Sequence, residues 1–231
     1  MNKQINNKIT ICEESTHNML ESLKLLSGLE HKIFVFLANK AVNDEGENRE
    51  FVFDIRDFWE RRERGLNGKN YQEFRECVYN ISKLGYKITV NGFKIDGHWF
   101  SRVGFYESGT EGVIKFDDYS YAFMQEYIAD GGNCDRLMDM TSKYGIRLYD
   151  CLKSHVGKRD FAFPLAQLRV DMGVSGDKYP EYRDFKRNVM APAIFEVNNH
   201  TDFLVSFKEK RTNRYVSHLL FTVLKKQPPV E

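Results

Sequence analysis

The sequence contains no run of about 18 consecutive apolar residues, the minimum for a helix that spans a bilayer. Its polar N-terminal segment, residues 1–14, also lacks the apolar centre of a secretory signal peptide. From these two absences we expect neither a membrane-spanning protein nor a secreted one. We therefore expect a protein of the cytoplasm that makes no membrane contact.

Clustered metal ligands are also lacking. The four cysteines, Cys12, Cys77, Cys134 and Cys151, form no CxxC pair, so we expect free thiols and no zinc site. The six histidines are never closer than 14 residues, and neither His-x-His nor HExxH occurs. A protein that nicks DNA to initiate rolling-circle replication needs a His-x-His metal cluster beside a nucleophilic tyrosine. The lack of this cluster argues against that class of enzyme.

Gly65, Gly68 and Lys69 resemble part of a phosphate-binding loop. That motif needs four residues between its glycines and Ser or Thr after its lysine, whereas this chain has two residues and then Asn70. Asp135 and Asp139 fall on one side of a predicted helix, but no other catalytic group joins them. We expect no enzymatic activity and no cofactor.

The composition is that of a folded, soluble chain. Of the 231 residues, 42% are hydrophobic and 29% are charged, which is enough for one large domain or two small ones. The net charge is only +1, but residues 1–130 hold 17 Lys and Arg against 21 Asp and Glu, and residues 131–231 hold 17 against 12. Phosphate binding is therefore expected in the second half.

Residues 179–201 are predicted to form one amphipathic helix with a basic face. Tyr182, Phe185, Val189 and Ala193 recur at steps of three and four, as the buried stripe of a helix does. The candidate DNA contacts off this stripe are Arg183, Lys186, Arg187 and Asn188. Which of them contacts bases and which contacts phosphates stays open, and the alternative is a solvated face paired with Glu181 and Asp184.

Pro192 lies inside this predicted helix. Because proline has no backbone N–H, it cannot donate to the carbonyl of Asn188. Either two helices meet near residues 190–193, or one helix bends there.

Two strands rich in β-branched and aromatic residues, 203–207 and 216–224, follow the helix. Between them the segment 208–214 (KEKRTNR) is predicted to be a basic turn. Its candidate phosphate contacts are Lys208, Lys210, Arg211 and Arg214. Helix, strand, basic turn and strand is the layout of a winged helix, in which the helix enters the major groove and the hairpin lies along the backbone.

A similar order of elements is predicted in the first half: a helix at 29–42 begun by a Ser27/Glu30 capping box, a strand at 50–53, a helix at 70–84, and strands at 87–90, 99–105 and 113–116. The second half begins with a predicted helix at 136–152, a strand at 161–163 and a helix from Pro164 to about 172.

We therefore predict an α+β protein of two tandem winged-helix domains, residues 1–130 and 131–231. In the first domain, Lys69, Asn70 and Arg75 lie on or near the equivalent helix, where Glu73 and Glu76 dilute the charge, so weaker DNA contacts are expected.

Three segments carry a family resemblance: residues 141–154 (TSKYGIRLYDCLKS), 163–174 (FPLAQLRVDMGV) and 179–202. In that order they resemble the plasmid replication initiators that bind iterons, the short direct repeats of a plasmid origin. Residues 17–39 resemble the first helices of that family. The resemblance implies two winged-helix domains and iteron binding as a monomer. It also implies dimers that repress the initiator's own gene, with much of the dimer contact in the first domain.

The resemblance further implies that residues 131–231 are the main reader of iteron DNA. We expect an initiator that binds repeated sites in double-stranded DNA, helps to open the origin and recruits host replication proteins. The alternative is a winged-helix transcription repressor, which would bind a palindromic operator and have no role in replication.

Overall fold

The computed structural model describes residues 11–43, 49–62, 65–129, 139–174 and 177–226. Contacts divide the chain into two compact units, Met1–Asp135 and Arg136–Glu231. Each unit is described by itself. The predicted domain boundary after residue 130 stays a prediction. The separate roles predicted for the two domains also stay predictions.

The first unit combines helices with a three-stranded sheet and a separate hairpin. In chain order its elements are α1 (Glu13–Leu23), α2 (Gly28–Asn43), β1 (Glu50–Asp54), α3 (Ile55–Glu60), α4 (Gly68–Lys83), β2 (Gly85–Val90), β3 (Phe93–His98), β4 (Phe100–Phe105), β5 (Glu111–Phe116) and α5 (Asp118–Ala129). The sheet is antiparallel with the strand order β1-β5-β4, and β2 and β3 form a separate two-stranded sheet.

Side-chain caps start four of these helices, α5 among them through Asp117 Oδ1, which accepts from Tyr119 N and Ser120 N. Before α2, Ser27 and Glu30 form the predicted capping box, with Ser27 N donating to Glu30 Oε2 at 2.8 Å and Glu30 N donating to Ser27 Oγ at 3.3 Å. Asp54 caps α3 by accepting from Arg56 N, and Asn67 caps α4 by accepting from Asn70 N. These bonds satisfy backbone donors that the helices leave free.

The strand β3 is a correction to the sequence prediction, which placed no strand between residues 87–90 and 99–105. The structure pairs Phe93–His98 with β2 along its length, and Gly97 lies opposite Tyr86. A side chain at Gly97 would come within 2.5 Å of the Tyr86 ring, so glycine is needed here for close approach and not for a turn.

Aromatic side chains form the core of the first unit. Phe58 contacts Phe36 and Phe74 with ring centroids 5.4 and 5.2 Å apart, both edge to face. Trp99 is fully buried, and its Nε1 donates to Ser22 Oγ at 3.2 Å. This packing joins α2, α3 and α4, and it ties α1 to the residue before β4.

The second unit has the elements α6 (Lys143–Leu152), a 3₁₀ turn (Lys153–His155), β6 (Phe161–Pro164), α7 (Leu165–Asp171), α8 (Tyr182–Phe185), a π-helical segment (Lys186–Met190), α9 (Ala191–His200), β7 (Phe203–Thr212) and β8 (Tyr215–Lys225). The sheet order is β6-β8-β7, and both pairings are antiparallel. Tyr149 of α6 stacks on Phe203 of β7 at 4.9 Å between ring centroids.

The helix predicted at 136–152 begins later in the structure, at Lys143; residues 136–138 lie outside the described residues. Two acceptors set the start of this helix, the Glu196 carboxylate and the Ser142 hydroxyl. The backbone N–H groups of Thr141 and Ser142 donate to the Glu196 carboxylate, and Ser142 Oγ accepts from Tyr144 N.

Both units repeat one topology. In each, a helix, a strand, two helices and a two-stranded hairpin follow one another, and the last strand of the hairpin lies between the first strand and its hairpin partner. The first unit differs by α1 at its start, the β2–β3 hairpin inserted after α4, and α5 at its end. The predicted α+β fold with two tandem winged-helix domains is confirmed.

Candidate nucleic-acid interface

The candidate recognition helix comprises α8, the π-helical segment and α9, residues 182–200. Phe185, Val189, Ala193 and Val197 are all fully buried and anchor it to the core of the second unit. Arg183, Lys186 and Arg187 are exposed on the other side. The amphipathic division predicted from the sequence is therefore present.

Pro192 does not break this helix. The dihedral angles of Met190 (φ −71°, ψ −46°) and Ala191 (φ −63°, ψ −47°) stay helical, and Ala191 N donates to Lys186 O, five residues back. A π-helical turn thus takes in the residues before the proline, an arrangement that neither sequence alternative described.

The exposed side chains of the helix differ in their partners. Arg183 has no ion pair or hydrogen bond within the described part of the chain. Arg187 Nη2 donates to Asp184 Oδ1 at 3.1 Å, and Lys186 Nζ donates to Glu209 Oε1 at 2.8 Å. Asn188 Nδ2 donates to the backbone carbonyl of Asp184 at 2.9 Å, which leaves its other amide donor available.

The predicted basic turn at 208–214 is wrong in its extent. Lys208, Lys210 and Arg211 belong to β7, and Thr212 pairs with Tyr215, so only Asn213 and Arg214 make the turn. Asn213 has φ 57°, the left-handed conformation that such two-residue hairpin turns require. The wing is therefore a long hairpin with its basic residues along one strand and at its tip.

The wing cations also divide into paired and unpaired groups. Lys208 Nζ donates to Asp160 Oδ1 at 3.2 Å, and Arg211 Nη2 donates to Glu209 Oε2 at 3.1 Å. The side chains of Lys210 and Arg214 have no such partner among the residues that the structure describes.

Glu209 is a site residue that the sequence analysis did not single out. Its carboxylate accepts from Tyr182 Oη at 3.0 Å, Lys186 Nζ at 2.8 Å and Arg211 Nη2 at 3.1 Å. The Lys186 ammonium holds the pKa of the Glu209 carboxyl below its ordinary value, and burial together with the bond to Glu209 raises the pKa of Tyr182. The one acid within KEKRTNR was the available signal.

Two arginines donate to backbone carbonyls that lie between α7 and the recognition helix. Arg169 lies 4.5 Å over the Phe185 ring and donates to the carbonyls of Tyr179 and Pro180. Arg147 Nη1 donates to Met172 O at 2.9 Å, and burial lowers its pKa. Sequence periodicity does not reveal these two arginines, because the carbonyls to which they donate lie ten or more residues away in the chain.

The candidate residues of the first unit lie on α4. Lys69 is exposed near the start of the helix. Asn70 Nδ2 donates to Gly65 O at 3.0 Å. The Arg75 guanidinium lies 4.7 Å from the Phe105 ring and 5.4 Å from the Tyr71 ring, so this cation packs within its own unit. The structure thus brings the second-unit residues together on one helix and wing, and keeps this group in the other unit.

Among the described residues, no group of three or more His, Cys, Asp or Glu side chains is arranged to hold a metal ion. No helix in the described part of the chain has the length and hydropathy needed to cross a membrane.

The fold and the basic helix and wing define a tandem winged-helix protein. Two family models match the chain: the model described as "Initiator Replication protein, WH1" matches residues 15–153, and the model described as "Initiator Rep protein, WH2" matches residues 164–223. The chain belongs to this initiator replication protein family. The first match extends to residue 153 and so includes α6, which belongs to the second unit by its contacts.

Solved structures share the fold. The Pi initiator protein, crystallised in complex with iteron DNA, has a TM-score of 0.73 at 16% sequence identity over 91% of this chain and 96% of its own. Domains 2 and 3 of RctB give a TM-score of 0.57 at 11% identity over 86% of this chain and 82% of theirs. No protein of curated function matches the chain by sequence.

Proposed function

We propose that this protein binds iterons in double-stranded DNA at a plasmid origin and initiates replication there. The observation that carries the proposal is the exposed basic face of the recognition helix and wing in a member of the initiator family. The Pi initiator, a relative in fold, was crystallised with iteron DNA, which supports the same ligand class for this chain.

In this proposal the recognition helix enters the major groove. Arg183 is exposed and unpaired among the described residues, so its guanidinium is available for the two acceptors of a guanine. Arg187, 67% exposed, can exchange Asp184 for a base or a phosphate. Lys186 and Asn188 belong to the same π-helical segment as Arg187, and Lys186 first has to leave or share Glu209.

The wing lies along the phosphate backbone. Lys210 and Arg214 supply free positive charge, while Lys208 and Arg211 first have to leave their carboxylate partners or share them. Such contacts position the protein without reading sequence. In the first unit, Lys69, Asn70 and Arg75 supply weaker contacts.

Several molecules bind cooperatively to adjacent repeats, and origin opening and recruitment of host replication proteins follow. A homodimer, formed largely through the first unit, represses the protein's own gene. The protein acts in the cytoplasm and performs no catalytic step.

The test is fluorescence anisotropy with DNA from the repeats near the encoding gene and with a scrambled copy, each over a salt series. Wild-type protein is expected to prefer the repeats. Arg183→Ala should weaken repeat binding about tenfold or more, because one two-bonded arginine–guanine contact contributes ~1–3 kcal/mol of discrimination. Lys210→Ala and Arg214→Ala should each weaken binding to both probes alike. Each should also reduce the salt slope, the magnitude of the slope of log K against log salt concentration, by about 0.9.

The matched control is Lys225→Ala. Lys225 is exposed at the end of β8, eleven residues from Arg214 of the wing turn, or ~36 Å along an extended strand. Equal, weak binding of wild-type protein to both probes would contradict the proposal. Binding only to a palindrome would favour the repressor, and Mg²⁺-dependent nicking of supercoiled plasmid would favour the nickase.

A further inference from the structure

One acid interrupts the basic wing. Glu209 lies between Lys208 and Lys210 on β7, on a surface proposed to face DNA. A negative charge there weakens attraction to phosphates. Its side chain is only 21% exposed whereas that of Lys208 is 74% exposed, because Glu209 points to the recognition helix and not to solvent.

The contacts of Glu209 join two elements. Its Oε1 accepts from both Tyr182 and Lys186, which lie four residues apart on one face of the recognition helix. Its Oε2 accepts from Arg211 on the wing. The Lys186 ammonium also lies 5.8 Å from the Phe207 ring of the same strand. One carboxylate therefore fixes one turn of the helix against the middle of β7.

We propose that Glu209 is a positioning residue that holds the recognition helix and the wing at a fixed spacing and thereby sets the discrimination between repeat and random DNA. This inference rests on the proposed function. Base contacts by the helix and phosphate contacts by the wing have to form on one rigid duplex. A fixed spacing lets both sets form together only where the base sequence fits.

Glu209 also holds two cations in place. While Glu209 binds Lys186 and Arg211, neither cation is free to bind phosphates independently of the DNA sequence. Its removal should therefore strengthen binding to random DNA and raise the salt slope there by up to ~1.8, two phosphates at about 0.9 each.

The experiment measures the ratio of the affinities for repeat and scrambled DNA in the full chain. Glu209→Gln removes the charge and the acceptor for Arg211, and leaves only a neutral amide oxygen for Tyr182 and Lys186. This weakened clamp should lower the ratio about tenfold or more, as expected when a bidentate base contact is misplaced. Tyr182→Phe removes one bond of the clamp without a change in charge, and should lower the ratio in the same direction by a smaller factor.

The matched control is Asp184→Asn. It removes the same charge from the same surface and frees Arg187, but among the described residues the Asp184 carboxylate bonds only to Arg187 of its own helix. Its ratio should change less than about threefold, while its salt slope on scrambled DNA rises by ~0.9. Thermal unfolding of every variant checks that binding is measured on folded protein.

A lowered ratio in Glu209→Gln and Tyr182→Phe, with Asp184→Asn near wild type, supports the assignment. Equal losses in Glu209→Gln and Asp184→Asn would overturn it in favour of a charge effect, as would a folded Glu209→Gln with the wild-type ratio. If Glu209→Gln does not fold, Tyr182→Phe decides. Wild-type protein without preference for repeats would instead overturn the proposed function and, with it, this role.

Discussion

Gly145 of α6 packs directly against the Glu196 side chain of α9. Glu196 is buried and accepts from Thr141 N at 2.8 Å, Thr141 Oγ1 at 2.6 Å and Ser142 N at 2.9 Å. A Cβ at Gly145 would lie 2.2 Å from Glu196 Oε2. Gly145→Ala should therefore destabilise the second unit by about 1–3 kcal/mol, as overpacking does.

Thermal unfolding of Gly145→Ala measures this cost. Gly104→Ala serves as the control, since nothing lies within 4 Å of a Cβ built there. An unchanged melting temperature for Gly145→Ala would show that the Glu196 carboxylate can move away from the start of α6 without loss.

The Glu209 clamp predicts a dependence of stability on pH. The Lys186 ammonium holds the pKa of the Glu209 carboxyl below its ordinary value of 4.5. The stabilisation is therefore fully present above pH 4.5 and is lost as the pH falls through the lowered pKa. Wild-type protein should exceed Glu209→Gln by about 1 kcal/mol at neutral pH, and the two should converge in acid.

Calorimetry of both proteins from neutral pH downward checks this expectation. A stability difference that stays constant through the acid range would mean that the carboxylate charge contributes nothing.

At the scale of single residues, the sequence predicts which side chains are exposed better than it predicts which groups they bond to. Arg183, Lys186 and Arg187 are exposed as their helical spacing indicated, because burial on a helix follows a local period. The bonds of Lys186 and Arg211 to Glu209 depend on which residues of β7 face the helix. That alignment is a tertiary property, and no local pattern encodes it.

The recognition helix carries a π-helical segment at Lys186–Met190, directly before Pro192. Each π turn adds a residue relative to the α-helix, so it changes which side chains share a face. Pro192→Ala supplies the missing N–H and lets the segment return to α-helix. We expect a higher melting temperature and about tenfold weaker binding to repeats, from a misplaced arginine contact.

Anisotropy and thermal unfolding of Pro192→Ala measure the two effects. Ala191→Ser is the control, because it changes the exposed neighbour and keeps the donor pattern. Wild-type affinity in Pro192→Ala would show that the π segment has no part in presenting the basic side chains.

Among the elements, those with strong local signals were predicted and those without were not. The capping box fixed the start of α2, since both of its bonds lie within four residues. The wing was predicted too short, because Lys208, Lys210 and Arg211 resemble turn residues although they pair with β8. Only the partner strand stabilises them as a strand.

For the whole molecule, the order of elements was sufficient to predict the tandem fold. Each winged helix has a nearly local topology, so helix and strand order along the chain restricts the sheet to few arrangements. The sheets β1-β5-β4 and β6-β8-β7 have that shared arrangement. The role of each half is not encoded this way, because it depends on where free charge lies.

The most direct measurement is a footprint of the protein on the DNA that flanks its own gene. An iteron-binding initiator is predicted to protect several short stretches of similar sequence, all in one orientation, and Arg183→Ala should lose this protection at the same concentration. A single protected palindrome, or no protected stretch at a concentration that coats random DNA, would contradict the account.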